Sequence, residues 1–167
     1  MAVFLHHWDN KPENQRLVCL ARTGAAAPGP CPAPLALLQD VGATFGPTKV
    51  NLPGWSRRPV WSDPATCELS MTDLPANGAT FATVRITEGG RRFLAERLGR
   101  LSEKQLRDLF TGARFAEYHP ASDPGADVSN WVRAFQEKVR EIRDRPPCPA
   151  LTSGAGASRG PRSLPSG

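Results

Sequence analysis

The residues with the clearest capacity for chemistry lie close together near the start of the chain. Residues 7–14 read His7-Trp8-Asp9-Asn10-Lys11-Pro12-Glu13-Asn14, and a second short stretch, Asp40-Val41-Gly42, follows farther along. A carboxylate can accept the proton of a hydroxyl group, and carboxylate and amide oxygens are the ligands that a hard cation such as Mg²⁺ prefers. Phosphoryl transfer uses groups of this kind, because it depends on positioning and charge neutralisation more than on covalent help from the protein.

The two stretches together resemble the active-site motifs of the protein kinase-like superfamily. Residues 7–14 fit the pattern H-x-D-x-K-P-E-N of the kinase catalytic loop, and Asp40-Val41-Gly42 is similar to the kinase D-F-G with Val41 in place of Phe. The resemblance implies a phosphotransferase with Mg²⁺ or Mn²⁺ as cofactor and ATP as substrate. The hydroxyl acceptor could be a protein, a lipid, a sugar or a small molecule.

The same resemblance implies a role for each matching residue. Asp9 would be the catalytic base, and Lys11 would reach toward the transferred phosphoryl group and so also contact the nucleotide. Asn14 and Asp40 would hold the metal ion and, through it, the nucleotide. His7 matches a family position that packs beneath the loop and fixes its backbone.

The chain also departs from the pattern of the regulated signalling kinases. Trp8 occupies the position of an Arg that pairs with a phosphorylated activation loop, and an indole cannot form that charge-assisted pair. No A-P-E motif closes the segment after Asp40, and the loop at 22–34 is enlarged. The resemblance is therefore closer to atypical or secreted kinase-like families.

A purely structural interpretation of the same residues is also open. Asp and Asn side chains commonly bond to nearby backbone groups in turns and at helix starts, and Asp9, Asn10 and Asn14 could do only this.

Two strands are needed to position the motifs. The apolar runs 17–20 and 35–38 predict a β-hairpin between the two motifs, and the Pro-rich and Gly-rich stretch 22–34 predicts its enlarged loop. Residues 43–84 occupy the place of an activation segment, and 49–61 are predicted as ordered coil packed on the core.

Three helices are predicted after the motifs, over 88–100, from Ser102 to about Thr111, and over 128–144. Thr87 is the predicted cap of the first, and Ser102 with Gln105 forms a capping box for the second. Phe93, Leu94 and Leu98 are predicted to share one side of the first helix. The apolar residues predicted to be buried in the second and third helices are Leu106, Leu109, Phe110, Trp131, Phe135, Val139 and Ile142. The charged residues of the last helix are predicted to face water: Glu137, Lys138, Arg140, Glu141 and Arg143.

The expected fold class is α+β and mainly α, similar to the C-terminal lobe of a protein kinase-like fold with a small β-hairpin at the site. Residues 1–145 would form this lobe, and the Pro-, Gly- and Ser-rich stretch 146–167 a disordered tail. No Gly-rich loop or V-A-I-K lysine of a nucleotide-holding lobe precedes residue 7. We therefore expect Met1 to lie inside a longer reading frame, with Phe4 and Leu5 in the last turn of a helix.

Charge and composition narrow the choice of partners. The net charge is +5, but Lys and Arg are spread along the 167 residues and the aromatic residues do not alternate with them, which disfavours nucleic acid. The densest stretch, 85–114, contains eight basic and four acidic residues, and suits a solvated helix face or an acidic partner. No apolar run is long enough to span a membrane, and no signal peptide is recognisable.

Four cysteines, Cys19, Cys31, Cys67 and Cys148, allow two disulfides in three connectivities or four buried free thiols. In an oxidising compartment we expect Cys19, on the first strand, to pair with Cys31, just before the second, so that the bond pins the enlarged loop, and Cys67 to pair with Cys148. The cysteine content weakly favours an exported full-length relative, although the location of this chain stays open.

Two functions are compatible with these observations. The first is the catalytic half of an atypical kinase-like phosphotransferase, inactive as the isolated chain. The alternative is a non-catalytic kinase-like remnant that binds a partner.

Overall fold

The computed structural model describes residues 1–7, 12–20, 31–39, 44–45, 50–70, 74 and 84–151. These residues contain six helices: α1 (Ala2–Leu5), α2 (Leu52–Arg57), α3 (Glu88–Gly99), α4 (Glu103–Gly112), α5 (Phe115–Tyr118) and α6 (Val128–Arg143). In the same ranges four short strands form two separate pairs: β1 (Gln15–Cys19) with β2 (Pro34–Leu38), and β3 (Trp61–Asp63) with β4 (Glu68–Leu69). Short 3₁₀ turns lie at Pro12–Asn14 and Pro124–Ala126. The chain is therefore α+β and mainly helical, as predicted.

The predicted hairpin is present. Strands β1 and β2 are antiparallel, with Gln15 opposite Leu38 and Cys19 opposite Pro34. Most of the predicted enlarged loop lies outside the described residues, so that prediction stays open. Because β1 starts directly after Asn14 and β2 ends two residues before Asp40 in sequence, the pairing of the strands sets which residues at these two ends lie opposite each other.

The starts of the helices follow from their capping residues. The Thr87 hydroxyl accepts a hydrogen bond from the Gly90 N–H at 3.1 Å, and α3 begins at the next residue after Thr87. At α4 the Ser102 hydroxyl accepts from the Gln105 N–H, while the Gln105 side chain accepts from the Ser102 N–H. Both satisfy backbone donors that a helix start otherwise leaves unpaired.

An aromatic cluster around α6 forms the centre of the core. Trp131 is fully buried, stacks on Trp55 and Phe110 at centroid distances of 5.8 and 5.7 Å, and lies 4.4 Å from Phe115. Phe135, Val139 and Ile142 continue the buried stripe along α6, as predicted. Helices α3, α4 and α2 all pack against α6, which is therefore the central helix of the fold.

Several predictions of burial are wrong. Leu109 was predicted to be buried but is 56% exposed, because the face of α4 that contacts α6 is narrower than the apolar pattern implied. On α3, Phe93 is 60% exposed whereas Leu98 is buried, so the two do not share one buried face. Lys138 was predicted to face water but is only 3% exposed. Residues 52–57 form α2 rather than coil, with the Asn51 side chain accepting from the Gly54 N–H as its cap.

Both expected disulfides are present. Cys19 is bonded to Cys31 across the hairpin, and Cys67 is bonded to Cys148. Cys148 is buried, so the ordered chain extends past the boundary predicted at residue 145. The stretch 152–167 lies outside the described residues, and its predicted disorder stays a prediction.

Candidate functional site

The first motif segment, residues 7–14, is described at its two ends. Helix α1 ends at Leu5, its C-cap residue His6 adopts a left-handed conformation with φ of 50°, and the following His7 is fully buried. At the other end Asn14 closes the 3₁₀ turn and is 8% exposed. The loop that His7 is expected to support lies outside the described residues, so its predicted structural role stays a prediction.

A backbone hydrogen bond joins the end of the first motif segment to the residue that precedes the second motif segment, residues 40–42. The N–H of Gln39, the residue before Asp40 in sequence, donates to the carbonyl oxygen of Asn14 at 2.8 Å. This bond continues the β1–β2 ladder by one position beyond the Gln15–Leu38 pair. The hairpin thus brings the last residue of one motif next to the residue that leads into the other.

A second backbone bond joins the outer sides of the two segments. The N–H of Phe45 donates to the carbonyl oxygen of Leu5 at 2.7 Å. Phe45 has a φ of 60°, in the left-handed region, and its ring lies 5.0 Å from Trp55 and 5.7 Å from Trp131. Packing against the core therefore holds the chain just after the second motif segment beside the chain just before the first.

Helix α1 is attached to the same core. The Phe4 ring is buried and packs edge-on against Phe135 at 5.1 Å, and the Trp55 indole N–H donates to the Phe4 carbonyl at 2.8 Å. Helix α1, which precedes the first motif segment, and Phe45, which follows the second, therefore both pack on side chains of α2 and α6.

The structure describes one of the four predicted site residues. Asn14 is buried, with its carbonyl bonded to Gln39. Asp9, Lys11 and Asp40 lie outside the described residues, so their predicted roles remain predictions. Within the described ranges no three or more His, Cys, Asp or Glu side chains gather as a metal site, and that result does not extend to Asp40.

Residues 58–60, which follow α2, are held by a polar network around Lys138 that the sequence analysis did not predict. Lys138 donates to the carbonyl of Arg58 and its ammonium lies 5.6 Å from the Trp55 ring centroid. Burial lowers the pKa of Lys138, and nearby Glu141 opposes that effect. Glu141 accepts a 2.6 Å bond from the Val60 N–H. These contacts attach residues 58–60 to α6.

The position of Lys138 could have been inferred from spacing. It follows Trp131 by seven residues and Phe135 by three, which places it on the same face of α6 as the core stripe. The chemical type of the residue, rather than its position, led to the wrong prediction. Its long apolar stem packs in the core while its charged end reaches a carbonyl.

A second buried cation, Arg91, connects α3 to the end of α6. Its guanidinium donates to the carbonyls of Ile142 and Arg143 at 2.7 and 3.0 Å and forms a two-pronged pair with Glu88. A positive charge at the last turn of a helix is favourable because the free carbonyls there carry partial negative charge. Hydrogen bonds from Arg91 and from the Cys148 N–H lower the pKa of Glu88 to about 2.

No model of a known family, no curated protein and no solved structure matches this chain. The kinase-like resemblance therefore depends on the two motif segments themselves. Within the part of the chain that the structure describes, no helix combines the length and the apolar character needed to cross a membrane.

Proposed function

We propose that this chain is the catalytic half of an atypical kinase-like phosphotransferase, which transfers a phosphoryl group from ATP to a hydroxyl acceptor. The observation that supports the proposal best is the pair of backbone bonds around the motif segments. Leu5 lies before the catalytic-loop pattern and Asn14 is its last residue, and they bond to Phe45 and Gln39, which lie on either side of Asp40-Val41-Gly42. A chance match of two short patterns would not require their flanking residues to meet.

The chain's own residues would divide the work as the motif pattern implies. Asp9 would accept the proton of the acceptor hydroxyl, and Lys11 would balance charge on the transferred group. Asn14 and Asp40 would supply oxygen ligands for Mg²⁺ or Mn²⁺, which when bound would neutralise phosphate charge. The buried position of Asn14 next to Gln39 fits a ligand whose backbone must be fixed before the metal arrives.

Metal binding gives the most direct test in the chain as it is. Two oxygen-bearing side chains hold Mn²⁺ weakly unless phosphate oxygens complete the coordination. We therefore expect weak Mn²⁺ binding that ATP strengthens, measured by the electron paramagnetic resonance signal of free Mn²⁺. Asp40→Asn should remove the strengthening by ATP, whereas Asp9→Asn should keep it, because Asp9 is a base in this proposal and no ligand.

The matched control is Asp144→Asn, which removes a carboxylate that pairs with Arg143 at the end of α6. Equal Mn²⁺ binding by wild type, Asp40→Asn and Asp144→Asn would contradict the metal assignment. Phosphoryl transfer itself is expected only when a nucleotide-holding lobe completes the site, and Asp9→Asn should then abolish it. Transfer that survived Asp9→Asn, or ATP-independent Mn²⁺ binding, would favour the partner-binding alternative.

A further inference from the structure

The two disulfides differ in how deeply they are buried. Cys67 is fully buried and Cys148 is 8% exposed, and both belong to the hydrophobic core. Cys19 and Cys31 are only partly buried and lie outside that core. A thiol opens a disulfide by direct attack of its thiolate on one sulfur atom, so access to the sulfur limits the reaction. Cys19–Cys31 is therefore the disulfide that a reductant in solution reaches more readily.

The β1–β2 hairpin that carries this disulfide is poorly covered by the rest of the protein. No described side chain of either strand belongs to the hydrophobic core. Among the described elements, the strands contact chiefly each other and the 3₁₀ turn before β1. Four apolar side chains that share one face of the hairpin are 37–62% exposed: Val18, Leu20, Leu35 and Leu37. A two-stranded hairpin by itself is only marginally stable in water. This hairpin therefore depends on its own backbone bonds and on its disulfide.

The disulfide and the motif segments lie at opposite ends of the same pair of strands. Cys19 forms the last pair of the ladder with Pro34, and Cys31 precedes β2 by three residues. At the other end, the bond between the Gln39 N–H and the Asn14 carbonyl continues the ladder. The register that the disulfide holds is therefore the register that places Asn14 opposite Gln39.

We infer that the Cys19–Cys31 disulfide is a redox switch for the candidate metal site. The closed disulfide holds the hairpin in register and keeps Asn14 beside the residue that precedes Asp40 in sequence. Reduction removes this constraint, so the hairpin loosens and the Asn14–Gln39 bond opens more often. The consequence for metal binding rests on the proposed function, whereas the loosening of the hairpin does not.

The switch requires a thiol reductant of the glutathione class. A thiolate of the reductant attacks the Sγ atom of Cys19 or Cys31 and forms a mixed disulfide, while the other cysteine sulfur leaves as a thiolate and takes up a proton. A second reductant thiol then releases the first cysteine in the same way. Two electrons and two protons pass to the two cysteines, and the two reductant thiols end as one disulfide.

The structure supplies two internal controls. Cys67–Cys148 is buried and should stay closed under the conditions that open the hairpin disulfide. Phe45 packs on Trp55 and Trp131, so the bond from its N–H to the Leu5 carbonyl is held by the core and not by the hairpin. The switch should therefore act on Gln39 and leave Phe45 unchanged.

The first measurement is the selectivity of reduction. The folded 167-residue chain is incubated with reduced glutathione, free thiols are alkylated at intervals, and the modified cysteines are identified by mass spectrometry. We expect Cys19 and Cys31 to be modified at least about tenfold faster than Cys67 and Cys148, because the buried sulfur atoms are shielded from attack.

The second measurement is the hydrogen exchange of single amides, followed by nuclear magnetic resonance. Selective reduction should lower the protection of the Gln39 amide by about tenfold or more and leave that of Phe45 unchanged. Cys19→Ser combined with Cys31→Ser reproduces the reduced state. This variant should show the same low protection at Gln39 with and without glutathione, and thermal unfolding checks that it is folded.

The third measurement is Mn²⁺ binding in the presence of ATP, after glutathione has been removed. We expect the selectively reduced chain to bind Mn²⁺ about fivefold more weakly than the oxidised chain, or weaker still. Asp40→Asn should bind weakly in both states, because it lacks one of the proposed ligands whichever state the disulfide adopts.

Four outcomes would contradict one of the two proposals. Equal rates of reduction for the two disulfides, or unchanged protection of Gln39 after reduction, would overturn the inference. Equal losses of protection at Gln39 and Phe45 would also overturn it, because they would indicate loosening of the whole chain. Equal ATP-dependent Mn²⁺ binding in both states would overturn the control of the metal site and leave the proposed function in place. Absence of ATP-dependent Mn²⁺ binding in the oxidised chain would contradict the proposed function, while the Gln39 comparison would still decide whether the disulfide controls the hairpin.

Discussion

The motif region (residues 1–45) and the helical region (residues 84–148) are held together by contacts of different range. In the helical region many polar contacts are local, such as the Ser102–Gln105 capping box and the Lys104–Asp108 ion pair one turn apart. In the motif region two described backbone bonds join residues far apart in sequence, Leu5 with Phe45 and Asn14 with Gln39. The candidate site therefore depends on tertiary structure more than any helix does.

The comparison also shows which region supports the other. Phe4 packs on Phe135, and Phe45 packs on Trp131 and Phe110, so the motif region rests on side chains of α4 and α6. The helical region has a core of its own, with α3 and α4 both packed on α6. Substitutions in the helical core should therefore also destabilise the motif region. Substitutions in the hairpin should destabilise mainly the hairpin itself.

The largest effect is expected from Trp131→Ala. Trp131 is fully buried, contacts four other aromatic rings and donates to the Gly125 carbonyl at 2.8 Å. The cavity left behind should lower the free energy of unfolding by about 3–5 kcal/mol, measured by urea denaturation. Hydrogen exchange should show lost protection at the amides of Gln39 and Phe45, because the motif region rests on this core.

Phe93→Ala is the matched control for the loss of an aromatic ring. Phe93 is 60% exposed on α3, and its ring contacts the Arg97 guanidinium at 5.2 Å. Its removal should change the free energy of unfolding by only about 0.5 kcal/mol. A Trp131→Ala protein that unfolds at the wild-type urea concentration would contradict the central role assigned to α6.

The two disulfides give a second way to compare the regions. Cys19–Cys31 closes a short loop, with a sequence separation of 12, whereas Cys67–Cys148 closes a long one, with a separation of 81. Because a longer closed loop removes more freedom from the unfolded chain, replacing both Cys67 and Cys148 by Ala should be the more destabilising change, by roughly 1–2 kcal/mol. Urea denaturation of the two double variants measures this difference.

The same variants separate local from general effects. Loss of Cys19–Cys31 should lower hydrogen-exchange protection in β1 and β2 and leave α3, α4 and α6 unchanged. Loss of Cys67–Cys148 should affect α3 and the end of α6, because the Cys148 N–H also donates to Glu88 on α3 at 2.9 Å. If both double variants lost the same stability, and if protection fell equally in the hairpin and in the helices, the two regions would not differ in how their disulfides stabilise them.

The range of the contacts also explains how much of the fold the sequence predicts. The hairpin strands and the starts of α3, α4 and α6 follow from apolar spacing and capping residues, and all were predicted within about two residues. Spacing shows which face of a helix is apolar, but not how wide a surface its neighbours cover. Leu109 was therefore assigned to the core although it is 56% exposed.

The candidate site is less predictable for a different reason. The motif patterns suggested Asp9, Lys11, Asn14 and Asp40, but no local rule shows that Leu5 meets Phe45 or that Asn14 meets Gln39. The Leu5–Phe45 contact requires the chain to return after the hairpin and pack Phe45 on Trp131, whereas the Asn14–Gln39 bond depends on the register of the hairpin. The resemblance to kinase motifs suggests the chemistry expected of these residues. The contacts between the residues around the two motif segments are visible only in the tertiary structure.

The smallest expected effect concerns pH and the helical region alone. Hydrogen bonds from Arg91 and from the Cys148 N–H hold the pKa of Glu88 at about 2, below its ordinary value of 4.5. A carboxylate with a lowered pKa in the folded state stabilises that state above the ordinary pKa, and this contribution is lost as the pH falls from about 4.5 toward 2. Glu88→Gln keeps the shape of the side chain without its charge. The difference in urea midpoint between wild type and Glu88→Gln should therefore be largest above pH 4.5 and should shrink toward pH 2.

Glu137→Gln is the control, because Glu137 is exposed on α6 and forms no ion pair with any described residue, so its difference from wild type should change less over the same range. Parallel pH curves for wild type and Glu88→Gln would show that the Glu88–Arg91 pair does not link α3 to the end of α6 in the way its geometry indicates.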